Sequence, residues 1–216
     1  MVVLFVVLTF VAFLVIDFYV IKAQKKKHAA FSSQQVFDQG SFLLPEGFAL
    51  SKNHLWLKML KDGNVKIGID EFVGKVFSAI RIHPIASEGS VVKSGDVLFE
   101  LSSGSHKIHF ASPVSGTVKS INKNLESQKV SDPYENDWGF IIEPTDFKVG
   151  MFKVGKQGLN WLKDEFNRFK DFLSIQIAEP NLAGVTYADG GNIVEGVLSN
   201  LEEKSVKEFQ NQFISL

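Results

Sequence analysis

Cysteine is absent from all 216 residues. Disulfides, thiolate zinc sites, cysteine-ligated iron–sulfur clusters and cysteine nucleophiles are therefore excluded, while the redox compartment stays open. An excess of either charge is also lacking. The 23 Lys and Arg against 24 Asp and Glu leave a net charge of −1, so nothing points to nucleic acid as a partner. The turn "YADGGN" (187–192) has two glycines but no phosphate-loop lysine and no following Ser or Thr. No Ser-His-Asp set has support beyond composition, so no hydrolase is indicated. Asp132, Glu135 and Asp137 are acidic and close together. Calcium needs more converging oxygens at ordered spacing, so they read as a solvated turn.

What is present begins with an apolar run. From Val2 to Ile21 only Thr9 and Asp17 interrupt it. About 20 residues at about 1.5 Å each cross a bilayer core of roughly 30 Å. Lys22, Lys25, Lys26 and Lys27 follow the run and none precedes it. A cleaved signal peptide has the reverse order. The pattern predicts a retained single-pass anchor in the cell membrane, with the chain beyond it in the cytoplasm. Asp17 reads as an acid that reaches the lysine-rich interface.

The expected organisation is an anchor over 1–22, a polar tether over 23–42, a β-rich domain over 43–148 and a helical extension over 149–216. Hydrophobic residues make up 45% of the chain, ample for a core. "HLWLKMLKDGNVKIGI" alternates around Asp62-Gly63 and predicts a β-hairpin. "DEFVGKVFSAI" spaces Phe72, Val76, Phe77 and Ile80 as a helix, with Asp70 as N-cap. From Arg81 to Pro144 short strands alternate with glycine turns, and Gly95-Asp96 and Ser115-Gly116 are expected at matching turns of two similar units. Leu159, Leu162, Phe166, Phe169 and Leu173 then step by three and four, which predicts one apolar helical face. Val206, Phe209 and Phe213 suggest another. Phe166 and Phe169 are expected to be buried against the β domain or the last helix.

Four blocks carry a resemblance, in order. "HLWLKMLKDGNVKIGIDEF", "GSVVKSGDVLFEL", "SPVSGTVKSIN" and "DPYENDWGFIIEPTD" span about Pro45 to Asp146. This stretch resembles the H protein of the glycine cleavage system, a lipoyl-carrying domain. The resemblance implies a mainly β fold, a flattened barrel of the lipoyl type or barrel-sandwich hybrid, here flanked by a transmembrane helix and C-terminal helices. It implies a carrier rather than an enzyme, and a surface for docking enzyme partners. His54 beside Trp56 looks family-like and structural.

The resemblance also implies a lipoyl lysine at a hairpin tip. In the family pattern it lies ten residues after the Gly-Asp glycine and eight before the proline of Ser-Pro-Val-Ser-Gly. Both counts, from Gly95 and from Pro113, arrive at Ser105. The acid that precedes the lysine by three falls on Ser102. Lys107, two residues past the tip, is the one other candidate for lipoate; its modification would need the turn to slip by a register step. His106 and His109, three apart on a strand, point to opposite faces and do not pair on a metal.

The reading that follows is a non-catalytic, membrane-anchored scaffold subunit without cofactor, docking protein partners on its lipoyl-type domain. The alternative is a carrier bearing lipoate on Lys107, shuttling an aminomethyl group or electrons. A periplasmic membrane-fusion adaptor ranks last, because the tip has no helical insertion and the lysine flank points to the cytoplasm.

Overall fold

The computed structural model describes residues 35–77, 80–126, 132–176 and 192–215. The expected membrane span, residues 23–34 of the expected tether and the glycine turn up to residue 191 lie outside the described residues. Among the described residues no helix is long and apolar enough to cross a membrane.

The chain from Val36 to Leu216 forms one compact unit. Its elements begin with Val36–Phe37 (β1), Phe48–Leu50 (β2), Leu55–Met59 (β3) and Val65–Ile69 (β4). A helix over Glu71–Val76 (α1) precedes Arg81–Pro84 (β5), Val91–Val92 (β6), Val97–Ser103 (β7) and His106–Ala111 (β8). Ser115–Ile121 (β9), Trp138–Asp146 (β10) and Lys153–Val154 (β11) complete the β-rich part. Then come Gly155–Gln176 (α2), Ile193–Val194 (β12) and Glu203–Phe209 (α3), the last running on as a π turn over Gln210–Ile214.

The pairings are antiparallel throughout. One seven-stranded sheet has the order β11-β2-β3-β4-β10-β9-β6, and a three-stranded sheet has the order β5-β7-β8. Buried and exposed residues alternate along β8, as in a half-buried sheet, whereas β2 and Leu55 to Leu57 of β3 are buried on both faces. Phe99 stacks on Phe110 at 5.0 Å and on Phe140 at 5.8 Å, which joins the two sheets. The expected β-hairpin is β3–β4, in register from Leu55↔Ile69 to Met59↔Val65. Asp70 caps α1 by accepting from the Val73 N–H at 3.1 Å. The helix ends sooner than its apolar spacing suggested, at Val76, yet Phe77 and Ile80 are still buried.

Three expectations change. First, the folded unit begins at Val36, not near residue 43. Val36 and Phe37 pair with Val194 and Ile193, and Phe37 and Phe42 are each 2% exposed. Their rings lie 5.6 and 5.9 Å from Phe166, so two aromatics in a polar stretch find their partner on α2. Second, Gly116 is a strand residue in β9, not a turn. A Cβ there would collide with the Glu143 carbonyl oxygen of the neighbouring strand, so this glycine serves close backbone approach. Gly95, by contrast, is in a turn, at φ 98°. Third, no break separates the β domain from the extension. The C-terminal part is not wholly helical either: β12 closes the small sheet with β1, and β11 extends the large one.

The α2 stripe is buried at Leu162, Phe166, Phe169 and Leu173, and Phe172 joins it. Phe169 packs against Phe209 at 5.7 Å and Phe213 at 5.9 Å, as expected for the last helix, and against Phe72 of α1 at 5.5 Å. Phe166 meets the N-terminal segment rather than the last helix.

Candidate functional site

The β7–β8 hairpin turns through two residues, Gly104 and Ser105, between the pair Ser103↔His106. Gly104 has φ 60°. Positive φ at the first central position of a two-residue hairpin turn is where glycine is favoured. Ser105 is exposed at this tip. An amide to a carboxylic cofactor needs an amine, and neither turn residue has one.

Strand alternation sorts the residues that follow. His106, Ile108 and Phe110 face inward, and His106 is 8% exposed. Lys107 and His109 face outward. The two histidines therefore lie on opposite faces, and Lys107 shares its face with His109. Lys107 Nζ donates to Glu100 Oε1 at 2.8 Å, and His109 Nε2 lies 3.4 Å from Glu100 Oε2. The bonded lysine ammonium holds the Glu100 carboxyl below its usual range, against the opposing pull of desolvation. Ser102 is paired with Lys107 in register and its hydroxyl lies 3.0 Å from His83 Nε2.

The inner side of the hairpin is tied to the extension. Ser103 is 1% exposed, and its hydroxyl lies 2.7 Å from that of Ser199. The acidic turn before β10 closes on itself: Asp132 N–H donates to Asp137 Oδ2 at 2.7 Å, and Asn136 donates to Asp132 at 2.8 Å. Among the described residues no three His, Asp or Glu converge as metal ligands.

His54 occupies a second, wholly buried cluster. It is the one non-glycine residue with positive φ among those described, at 59°. Such a conformation for a buried side chain needs surroundings that over-determine it. Its Nδ1 lies 2.7 Å from Asp70 Oδ2 and its Nε2 lies 3.5 Å from Glu165 Oε2. The ring is stacked between Phe72 at 4.5 Å and Trp161 at 4.8 Å. Burial alone would lower the imidazole pKa. The two carboxylates more than offset this, led by Asp70, and raise it to about 9. Glu165 also accepts from Arg168 at 2.9 Å, and Arg168 donates to the Gln212 carbonyl at 2.6 Å.

His54 was legible as structural from its place beside Trp56. Glu165 and Trp161 were not, because their partner His54 lies about a hundred residues away in sequence, and Arg168 was not, because it joins the cluster only through Glu165. Arg81, His83 and Glu100 were also missed as neighbours of Lys107. Their alternation in β5 and β7 carries that signal only once the register is known.

A β-rich fold of antiparallel sheets that presents a two-residue hairpin tip is the class these features define. The family model described as glycine cleavage H-protein matches residues 48–152. The probable glycine cleavage system H protein of Thermococcus kodakarensis is 32% identical over 116 residues, covering 52% of this chain and 86% of that protein. The glycine cleavage system H protein of Coprothermobacter proteolyticus is 34% identical over 107 residues, covering 48% of this chain and 84% of that one. A crystal structure of a glycine cleavage system H protein from Mycobacterium marinum matches 56% of this chain and 99% of its own, at TM-score 0.49 and 19% identity.

The chain belongs to the glycine cleavage H-protein family. Members of this family are carrier proteins rather than enzymes, and normally carry lipoate. The chain beyond residue 152, with Trp161, Glu165, Arg168 and Ser199, lies outside the matched region.

Proposed function

We propose that this protein is an unmodified, membrane-held H-protein relative that docks a partner enzyme complex at the cytoplasmic face. The observation that carries the reading is the tip itself. Ser105 stands in the turn, at the position that the spacing to Gly95 and Pro113 gives the family's lipoyl lysine. A serine hydroxyl does not form the amide that holds lipoate. Ser102 stands where the family has an acid. Lys107 lies down the strand with its ammonium engaged by Glu100.

Moving Lys107 to the tip would shift the whole hairpin. The present pairs, Leu101↔Ile108 and Ser102↔Lys107 among them, would all be broken, and Lys107 would lose its bond to Glu100. The expected result is therefore an unmodified intact mass for protein taken from native membranes. A lipoyl or octanoyl adduct mapped to Lys107 would replace the docking reading with the carrier. The double variant Ser105→Lys, Ser102→Glu restores amine and acid at the tip. A lipoate-attaching enzyme is expected to modify it and to leave the parent untouched.

The membrane part of the reading rests on the apolar run Val2–Ile21 and the lysines after it. Fusions at Leu216 are expected to be active with a cytoplasmic reporter and silent with an exported one. The reverse pattern would move the domain across the membrane and remove the cytoplasmic docking model.

A further inference from the structure

The outward face of the β5-β7-β8 sheet carries two rows of side chains in register. Arg81, Ser102 and Lys107 form the row next to the tip, and His83, Glu100 and His109 form the next. The opposite face is closed, with Ile82, Leu101 and Ile108 each at most 1% exposed and Ser103 and His106 buried nearest the tip. Five of the six outward side chains are cations or hydrogen-bond donors, and Glu100 is the single acid. The chain as a whole is near neutral at −1, so this face stands apart from it. Lys107 and His109 both lean on Glu100. Arg81 is exposed and has no hydrogen-bond or ion-pair partner among the described residues. It is an unused guanidinium with five donors, one strand away from a serine hydroxyl.

We propose that this face docks an acidic peptide segment of the partner, with one carboxylate on Arg81 and Ser102 and a second taking the place of Glu100 on Lys107. This deepens the docking reading above and rests on it. Strands lie about 4.8 Å apart, so Arg81 and Lys107 stand roughly 10 Å apart across the sheet. Two carboxylates of an extended chain span that distance within the reach of the Arg and Lys side chains, and inorganic phosphate is the competitor that tests a single-anion site. An anionic lipid surface fits less well. The two rows hold two fixed cations, one central acid and no outward aromatic or aliphatic side chain to enter the headgroups. Glu100 then acts as a placeholder. It keeps Lys107 satisfied in the free protein and must be displaced when a partner's acid arrives.

The test uses the full chain in zwitterionic detergent micelles and a fluorescein-labelled deca-glutamate peptide, read by anisotropy. Binding is expected at low salt and should be lost by roughly 0.5 M NaCl, where the Debye length is only a few ångströms. Arg81→Ala and Lys107→Ala should each weaken it by up to about fivefold, the size of an exposed ion pair. Lys119→Ala, on β9, should leave it unchanged. Glu100→Gln is the discriminating variant: with the internal competitor gone, the peptide should bind more tightly. Inorganic phosphate and short-chain phosphatidylglycerol serve as competitors and should displace the peptide only at concentrations far above its own. No peptide binding by folded protein would overturn the proposal. So would equal loss in Lys119→Ala, weaker binding in Glu100→Gln, or preferential binding of the lipid. The outcome is separable from the modification test, because recombinant protein without lipoate is used. An adduct on Lys107 in the native host would remove the docking reading without changing these affinities.

Discussion

Phe169→Ala is expected to destabilise a fragment spanning residues 35–216 by about 3–5 kcal/mol, the cost of emptying a packed aromatic site. Phe169 is 0% exposed and is a hub of the aromatic cluster. Its ring contacts Phe72 of α1, Phe172 of its own helix, and Phe209 and Phe213 of the last helix, all within 6.0 Å. Those partners come from three separate elements, so they cannot collapse together into the space. Phe166→Ala should cost less. Its partners Phe37 and Phe42 sit on one short N-terminal segment that can follow the shrinking side chain. Urea denaturation checks both, provided the m-value is unchanged. The Phe169 variant should melt roughly 10 °C lower for a chain of this size. If it melts like the parent, the α2 stripe does not pack as described and the extension is not fused to the β domain.

What was legible in the sequence follows from the range of each signal. The β3–β4 hairpin, the Asp70 cap and the α2 stripe are local patterns of period 2 or 3.6, and all three formed. The position of Ser105 in the turn was legible because two independent spacings, to Gly95 and to Pro113, agreed on it. The start of the fold was misjudged because residues 23–42 are polar on average. Two phenylalanines in them, Phe37 and Phe42, are recruited by a helix more than a hundred residues away. Gly116 was misread as a turn because a glycine that admits a neighbouring backbone looks the same in sequence as one that reverses the chain. The outward rows of the β5-β7-β8 sheet could not be read at all without register. Each of their residues alone is an ordinary exposed polar side chain.

Asp70→Ala is expected to be at least as damaging as the loss of Phe169. Asp70 has two duties. Oδ1 accepts from the Val73 N–H at the start of α1, and Oδ2 pairs with His54 Nδ1. Removing one partner of a buried charged pair costs about 3–5 kcal/mol, and a lost N-cap adds about 1 kcal/mol. Asp70→Asn separates the two, because its amide oxygen can still cap the helix while its charge is gone. The pH dependence then identifies the species. His54 is raised from an ordinary 6.5 to about 9 in the folded protein, so the native state holds the proton more tightly than the unfolded chain. Its contribution is complete below about pH 6.5 and is lost as pH rises toward 9. The slope is about 1.4 kcal/mol per pH unit at most, or on the order of 3 kcal/mol in total. His54→Asn, which tolerates positive φ, should remove this decline, so the difference between parent and variant isolates the imidazole from other titrating groups. Glu165→Gln should shrink the decline without abolishing it, since Glu165 is the more distant carboxylate at 3.5 Å. That residue lies in the extension, outside the region matched to the family. A parent whose stability is flat from pH 6.5 to 9 would mean that the buried imidazole is neutral. No charge on His54 would then bridge α2 to the β domain, and the extension would be held by its strand pairings, the Ser103–Ser199 contact and the aromatic cluster.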